Sequence, residues 1–547
     1  MNEKKLPTYK QGVKNEARSK ALEHAVTLLT QKRQIAAIAP INYVRSVRDK
    51  CSELTYDSRY LEAAKICSDE DIISWEGFRQ SVIGNLEAKD ITIAYLAGPE
   101  PTNDIQTLIK LGVRPENIWA FESSNGEFQQ AIQDVKNSKV RGIKLIKMKM
   151  EDYFSATPRR FDIIYFDACA TFPSRRQKTL QVISTIFKNS SLNSLGVLIT
   201  NFSSPDITND TDLENYSQLI ANYLYSKDTL DIKKGEHFYA GDSADSNGYY
   251  LSRETMPPED DEDEEPYFID EVKKNFDFYY GSFITRHILD IGSIISPIAR
   301  LASSKLWDNM FIAPSTIISE TKKWLTPSPD INDDFSHDYI YEGGNYSLLR
   351  TLSYMGVSTN FENHSENVKE FFKNWLKQIG DGNGNFNKGL ENIYSFYGCK
   401  TNLDYWKDGM HDVKKFNYRG SMPRLCDVPT EELGFYPIFA QFSYPMHCNV
   451  REARRYTYIA EGKKNRMFLD VLPFDECRYI YDWLSSGHLV ANDLKKISTQ
   501  LTFRFALDAL VKNIHNYQSD FLYGAHAIPF STHFESAELP ERIDLSK

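Results

Sequence analysis

The chain predicts an α/β fold with a mostly parallel sheet, and three observations within Asp90–Asn201 carry that prediction. Short apolar runs recur at Ile91–Ala97, Ile118–Phe121, Gly142–Met148, Phe161–Phe166 and Gly196–Thr200. The segments between them are long enough for crossover helices, and strands alternating with helices form a parallel sheet covered on both faces. Polar residues follow the carboxyl ends of the runs: Gly98-Pro99-Glu100, Glu122, Glu151-Asp152, Asp167 and Asn201. Ligands of such sheets bind beyond those ends, so the polar residues stand where a site is expected.

Ahead of this unit, Val13–Ile38 is rich in Ala, Leu, Glu, Lys and Arg, with apolar residues at Ala21, Ala25, Leu28 and Leu29. That composition and spacing suit an amphipathic helix, which Pro40 ends. A second helical group spans about Tyr60–Glu87. Residues 1–88 are therefore expected to form an N-terminal helical cap over one side of the site.

The α/β unit is expected to run over 89–255, with a helix at Leu213–Tyr225 and a loop and antiparallel strand within Glu236–Leu251. Seven consecutive acids at 259–265 repel one another and resist burial, which marks 256–266 as an acidic loop between modules. Residues 267–390 read as helical, and the aromatic-rich 391–547 as α+β, with strand or irregular core at Leu433–Tyr444 and Tyr456–Leu472.

A chain of 547 residues exceeds one hydrophobic core. Its formal charge of −11 argues against coating nucleic acid through the overall field, while leaving room for a local basic groove. The seven scattered cysteines have no CxxC spacing, and no signal-peptide pattern is seen, which points to a reducing cytoplasm. The apolar stretch Ile284–Ala302 contains Arg286, His287, Asp290 and Arg300, so no membrane span is expected.

Several chemistries lack their motifs. There is no GxGxxG, P-loop, HExxH or GxSxG. Gly380–Gly389 resembles a calcium loop only superficially, and neither His526 and His533 nor His447-Cys448 has a recognisable ligand set, so no metal is expected.

The candidate site rests on the strand ends. Gly98 lets the backbone turn or approach a ligand without a Cβ clash. Glu122 can accept both hydroxyls of a ribose, because each carboxylate oxygen takes a donor. Glu151 and Asp152 can accept from an exocyclic amine, and Asp167 stands at the middle of the crevice. Cys169 follows as a nucleophile candidate with no histidine nearby in sequence.

The succession Tyr95-Leu96-Ala97-Gly98-Pro99-Glu100, Trp119-Ala120-Phe121-Glu122, Met150-Glu151-Asp152-Tyr153 and Phe161–Asp167 resembles class I S-adenosylmethionine-dependent methyltransferases. The resemblance covers the central unit alone. It implies a Rossmann-like methyltransferase-type sheet binding S-adenosylmethionine, with Gly98 and Glu100 at the methionine portion, Glu122 at the ribose, and Glu151 or Asp152 at the adenine. It also implies substrate contacts from Asp167 to Phe172, with Asp167 as the catalytic candidate.

The chain departs from the family in two places. One glycine followed by proline replaces the glycine-rich loop, and Asp167-Ala168-Cys169-Ala170 replaces the Asp/Asn-Pro-Pro-Tyr/Phe signature of amino-methylating members. Arg159-Arg160 and Arg175-Arg176-Gln177-Lys178 add five cations near this corner, suited to phosphates of RNA or DNA, and Arg175 and Arg176 join Phe172 as expected substrate contacts. The expected function is methyl transfer to a macromolecule, RNA or DNA included. The alternative is a non-catalytic methyltransferase-fold scaffold that binds a partner protein or nucleic acid.

Overall fold

Among the described residues nine strands join in one sheet in the order β3-β2-β1-β4-β5-β8-β7-β9, with β6 also pairing with β8. This is seen in a computed structural model. It describes residues 12–208 except 56, 57, 66, 175 and 176, then 264–295, 444–483 and 539–546, with isolated positions between 210 and 220 and between 503 and 507. Expectations for 236–251, 346–391 and 492–533 lie outside the described residues apart from those isolated positions, and the acidic run is described only from Glu264 onward.

The first five strands are mutually parallel: β1 (Ile93–Leu96), β2 (Ile118–Phe121), β3 (Lys144–Ile146), β4 (Phe161–Asp167) and β5 (Leu192–Ser203). Helices α6 (Thr102–Lys110), α7 (Asn125–Ser138), α8 (Met150–Ala156) and α9 (Thr179–Lys188) connect them in turn. Strand β4 reads Phe-Asp-Ile-Ile-Tyr-Phe-Asp and is buried from Phe161 to Phe166, the continuous apolar run of a strand covered on both faces. At its other end Asp162 accepts from the Thr92 N–H and hydroxyl, both at 2.8 Å, and from Asn193 Nδ2 at 2.6 Å. One carboxylate thus ties together the starts of β1, β4 and β5, which helps set the alignment of their far ends.

Beyond β5 the sheet is completed from distant sequence. Strand β8 (Arg466–Asp475) runs antiparallel to β5 in continuous register from Leu195↔Asp475 to Ser203↔Met467. Strand β7 (Arg454–Ile459) is antiparallel to β8, β6 (His447–Cys448) pairs with its end, and β9 (Ile543–Asp544) runs parallel to β7. The pattern at 456–472 therefore becomes two strands joined by a turn, and β8 covers an edge of β5 that would otherwise offer unpaired backbone groups. This is the Rossmann-like, methyltransferase-type architecture: a mostly parallel sheet with a reversed strand, flanked by helices. The helices Glu264–Lys274 and Phe276–Asp290 follow β5 in the described chain.

The N-terminal helices are α1 (Gly12–Leu29), α2 (Arg33–Ala36), α3 (Tyr43–Glu53), α4 (Ser58–Lys65) and α5 (Asp69–Ile83). Helix α1 buries Ala17, Ala21, Ala25, Leu28 and Leu29 along one side, and small residues there permit close approach to the sheet. Ser68 and Asp71 form a capping box at the start of α5, and Gly84, at φ 58°, closes its end.

These helices pack on the late part of the chain. Trp75 Nε1 donates to the Tyr479 carbonyl at 2.7 Å, and its ring meets those of Tyr43, Tyr479 and Trp483. Asn449 Nδ2 donates to the carbonyls of Ile35 and Ala36. On the same late strands, fully buried Asp470 pairs with Arg542 and accepts from the Thr285 hydroxyl at 2.6 Å. Among the described residues no helix is long and apolar enough to cross a membrane.

Candidate functional site

A cleft of about 600 Å³ opens at the carboxyl ends of β1, β2, β3 and β4, with helix α1 along one wall. Gly98, Glu100, Glu122, Glu151 and Asp167 all line it, so the structure brings together residues from four strand ends that lie well apart in sequence. Asp152 is exposed on the first turn of α8 and is not among the lining residues. Phe172 is fully buried, with its ring against Phe202, Phe283 and His287 and its N–H donating to the Tyr280 hydroxyl at 2.8 Å. Arg175 and Arg176 lie outside the described residues.

At the end of β1 the chain turns through Gly98 at φ 59°, a left-handed backbone that favours glycine. A Cβ there would meet no atom within 4 Å, so the conformation rather than crowding calls for glycine, and space remains beside it. The Tyr95 hydroxyl donates to the Pro101 carbonyl at 3.1 Å, holding the following loop, and Asn103 Nδ2 donates to Glu100 Oε2 at 3.2 Å.

At the end of β2, Glu122 is half-buried and its Oε1 accepts the Ser124 N–H at 2.7 Å. Burial raises its pKa above the usual carboxylate value, against the opposing effect of that hydrogen bond. Beyond β3, Glu151 is buried in the first turn of α8 between Met150 and Asp152. Leu96, Phe121, Met148 and Phe166 supply apolar wall in a lining that is otherwise mostly polar.

The β4 end holds the densest polar cluster. Asp167 Oδ2 lies 3.1 Å from Lys14 Nζ, and Asp167 Oδ1 accepts from Asn201 Nδ2 at 2.9 Å and from the Cys169 thiol at 3.0 Å. Lys14 Nζ also donates to Cys169 Sγ at 3.2 Å, and Asn201 Nδ2 donates to the Tyr458 hydroxyl at 2.8 Å. Burial works against the charge of Asp167, but Lys14, the thiol and Arg18 outweigh it and hold the carboxyl below its ordinary value. In return Asp167 holds Lys14 firmly as the ammonium. Protein atoms crowded around Cys169, together with Asp167, push its thiol up to about 12, which disfavours the thiolate a nucleophile needs.

One turn along α1, Arg18 Nε pairs with Asp104 Oδ1 at 2.6 Å and its Nη1 donates to Asn15 Oδ1 at 2.9 Å. Burial pushes Asp104 up to about 6, despite the opposing pull of Arg18. Sequence reading missed Lys14, Arg18, Asp104 and Tyr458. A signal existed for two of them: Lys14 and Arg18 are four apart on a helix, hence on one face, and that face is the one that carries the small buried residues Ala21 and Ala25, an unusual place for two cations unless they have buried partners.

Lys149 and Lys178 also line the cleft, whereas the described arginines expected near this corner are engaged elsewhere. Arg159 lies over the Trp119 ring at 4.0 Å, and Arg160 is tied to Glu476 and to the Ser190 carbonyl; neither lines the cleft. Among the described residues no group of His, Cys, Asp and Glu is arranged to hold a metal ion.

No family model and no curated protein matches the chain. Among solved structures it is similar to one described as the structure of PKMT2 from Rickettsia typhi in complex with AdoHcy, at 11% identity and a TM-score of 0.20. That match covers 51% of this chain and 49% of the other, so the chain spans about half the length of that structure.

Proposed function

We propose that this chain is an S-adenosylmethionine-binding, methyltransferase-like protein that acts on a macromolecule. One observation carries the reading: a single cleft at the strand ends, lined by Gly98, Glu100, Glu122, Glu151 and Asp167 in the spatial order that β3-β2-β1-β4 imposes. The residues fit the cofactor. Glu122 has a second carboxylate oxygen to accept ribose hydroxyls, Glu151 stands beside the place for an adenine, and the open space at Gly98 leaves the backbone accessible. The amino-acid tail would then extend toward the ends of β1 and β4. There Glu100 can take an ammonium, and Arg18, a cleft-lining guanidinium with several donors, can take a carboxylate. Asp152 is not needed in this reading.

The bound sulfonium supplies an activated methyl group. The protein's task is alignment and exclusion of water. Asp167 is held ionised, so it can orient an acceptor by hydrogen bonding or take its proton at Oδ2. Leu96 and Phe166 provide apolar wall between the cofactor end and this carboxylate.

The macromolecular acceptor follows from the large share of the chain outside the α/β unit. RNA or DNA was expected from the paired arginines, but Arg159 and Arg160 are spent on Trp119 and Glu476. RNA, DNA and protein acceptors therefore enter the screen together.

Calorimetric titration with S-adenosylmethionine and S-adenosylhomocysteine tests the cofactor reading. Saturable binding that Glu122→Ala abolishes while the protein stays folded supports it. A folded wild type that binds neither compound overturns it and favours the scaffold.

A further inference from the structure

We propose that the end of β4 is a subsite for a primary ammonium group, occupied in this structure by Lys14 of the chain's own first helix. The proposal deepens the functional reading by naming the acceptor as an aliphatic amine, and only that naming rests on it.

The frame of the subsite stands without Lys14. Asp167 ends a buried strand, and Asn201 faces it in register on β5, fully buried, with its Nδ2 donating both to Asp167 Oδ1 and to the Tyr458 hydroxyl. Asn201 and the Cys169 thiol both donate to Oδ1. The frame therefore satisfies one carboxylate oxygen and leaves Oδ2 to a cation. A carboxylate this enclosed calls for such a partner.

What fills the gap is a long side chain from a different element, reaching along the wall of an open cleft. Its Nζ touches two acceptors, Asp167 Oδ2 at 3.1 Å and Cys169 Sγ at 3.2 Å. An ammonium has three donors, so one remains for the cleft.

The geometry selects the class of ligand. One free oxygen and one sulfur suit a compact point charge with N–H donors, whereas a guanidinium is best matched by two parallel carboxylate oxygens. A metal ion would need ligands that are absent among the described residues. Asp167 keeps Lys14 charged, so Lys14 is parked as an ammonium rather than poised as a nucleophile. An acceptor amine enters as its ammonium ion by displacing Lys14, and it takes a methyl group only after its cleft-facing N–H has passed a proton to solvent and freed the lone pair.

The test needs no cofactor. Replacing Lys14 by alanine removes the atoms of an n-propylammonium ion, which then serves as the probe. Wild type, Lys14→Ala and Lys14→Ala/Asp167→Asn are titrated calorimetrically with n-propylammonium chloride and, at matched ionic strength, with tetramethylammonium chloride, which has the charge but no N–H. Propylammonium is expected to bind Lys14→Ala about tenfold or more tightly than wild type, because the internal competitor is gone, and to raise its melting temperature. Tetramethylammonium and the double variant should show neither effect.

Equal responses of Lys14→Ala to the two salts, or undiminished binding by the double variant, overturn the proposal. If Lys14→Ala does not fold alone, refolding in propylammonium but not in tetramethylammonium supports the subsite, and failure in both overturns it. A negative result here leaves the cofactor reading standing, and absent cofactor binding leaves the ammonium site standing.

Discussion

Asp104 offers a sharp electrostatic test of the cleft. Its carboxyl is fully enclosed where α6 begins, pairs with Arg18, and is raised by burial from 3.8 to about 6. A carboxyl whose folded pKa lies above its unfolded value binds more protons in the native state between the two, so falling pH stabilises the fold through that window. The shift amounts to about 3 kcal/mol in full, of which about 1 kcal/mol is gained by pH 5 relative to pH 7.5. Asp104→Asn removes this titration. Urea denaturation of wild type and variant at pH 7.5 and pH 5 should therefore show wild type gaining about 1 kcal/mol on the variant as pH falls. A difference that does not change with pH, or one in which wild type loses ground on acidification, would refute an elevated Asp104.

Three further outcomes are expected. Gly98→Ala places a side chain at φ 59° without a clash, so it should lower stability by about 1–2 kcal/mol through backbone strain alone, read as a shift in the urea midpoint with unchanged slope. Cys169 is exposed yet its thiol is pushed up to about 12; iodoacetamide at pH 8 should label it more slowly than a free cysteine, and Asp167→Asn should speed the labelling, both followed by mass spectrometry. Asp470→Ala leaves Arg542 buried beside β8 without its carboxylate, so stability should fall by about 3–5 kcal/mol, and Arg542→Met combined with Asp470→Leu should recover much of that loss.

The parallel core was legible because its signals are local. Phe161–Phe166 is apolar throughout, the strand ends are polar, and the order of such strands restricts where a ligand can lie. The ammonium-like cluster was not legible for the opposite reason. Lys14, Asp167, Asn201 and Tyr458 come from four elements, and their proximity depends on α1 docking against β5, β7 and β8, which no short window contains. Phe172 shows a limit of another kind: its place after β4 drew it toward the substrate, but a phenyl ring beside Phe202 and Phe283 buries more apolar surface in the core than at a polar mouth.

Strand β8 carries a consequence for how the protein is made. Its partner β5 is finished at Ser203, yet β8 ends only at Asp475, so roughly 270 residues must still be translated before that edge is closed. At about 5–20 residues per second the newborn chain carries an uncovered, strongly apolar strand edge for roughly 15–55 s. Ribosome-bound chains stalled between these two points should therefore be the most prone to aggregate and the most dependent on chaperones, and release from that dependence should coincide with the emergence of Arg466–Asp475 from the ribosome.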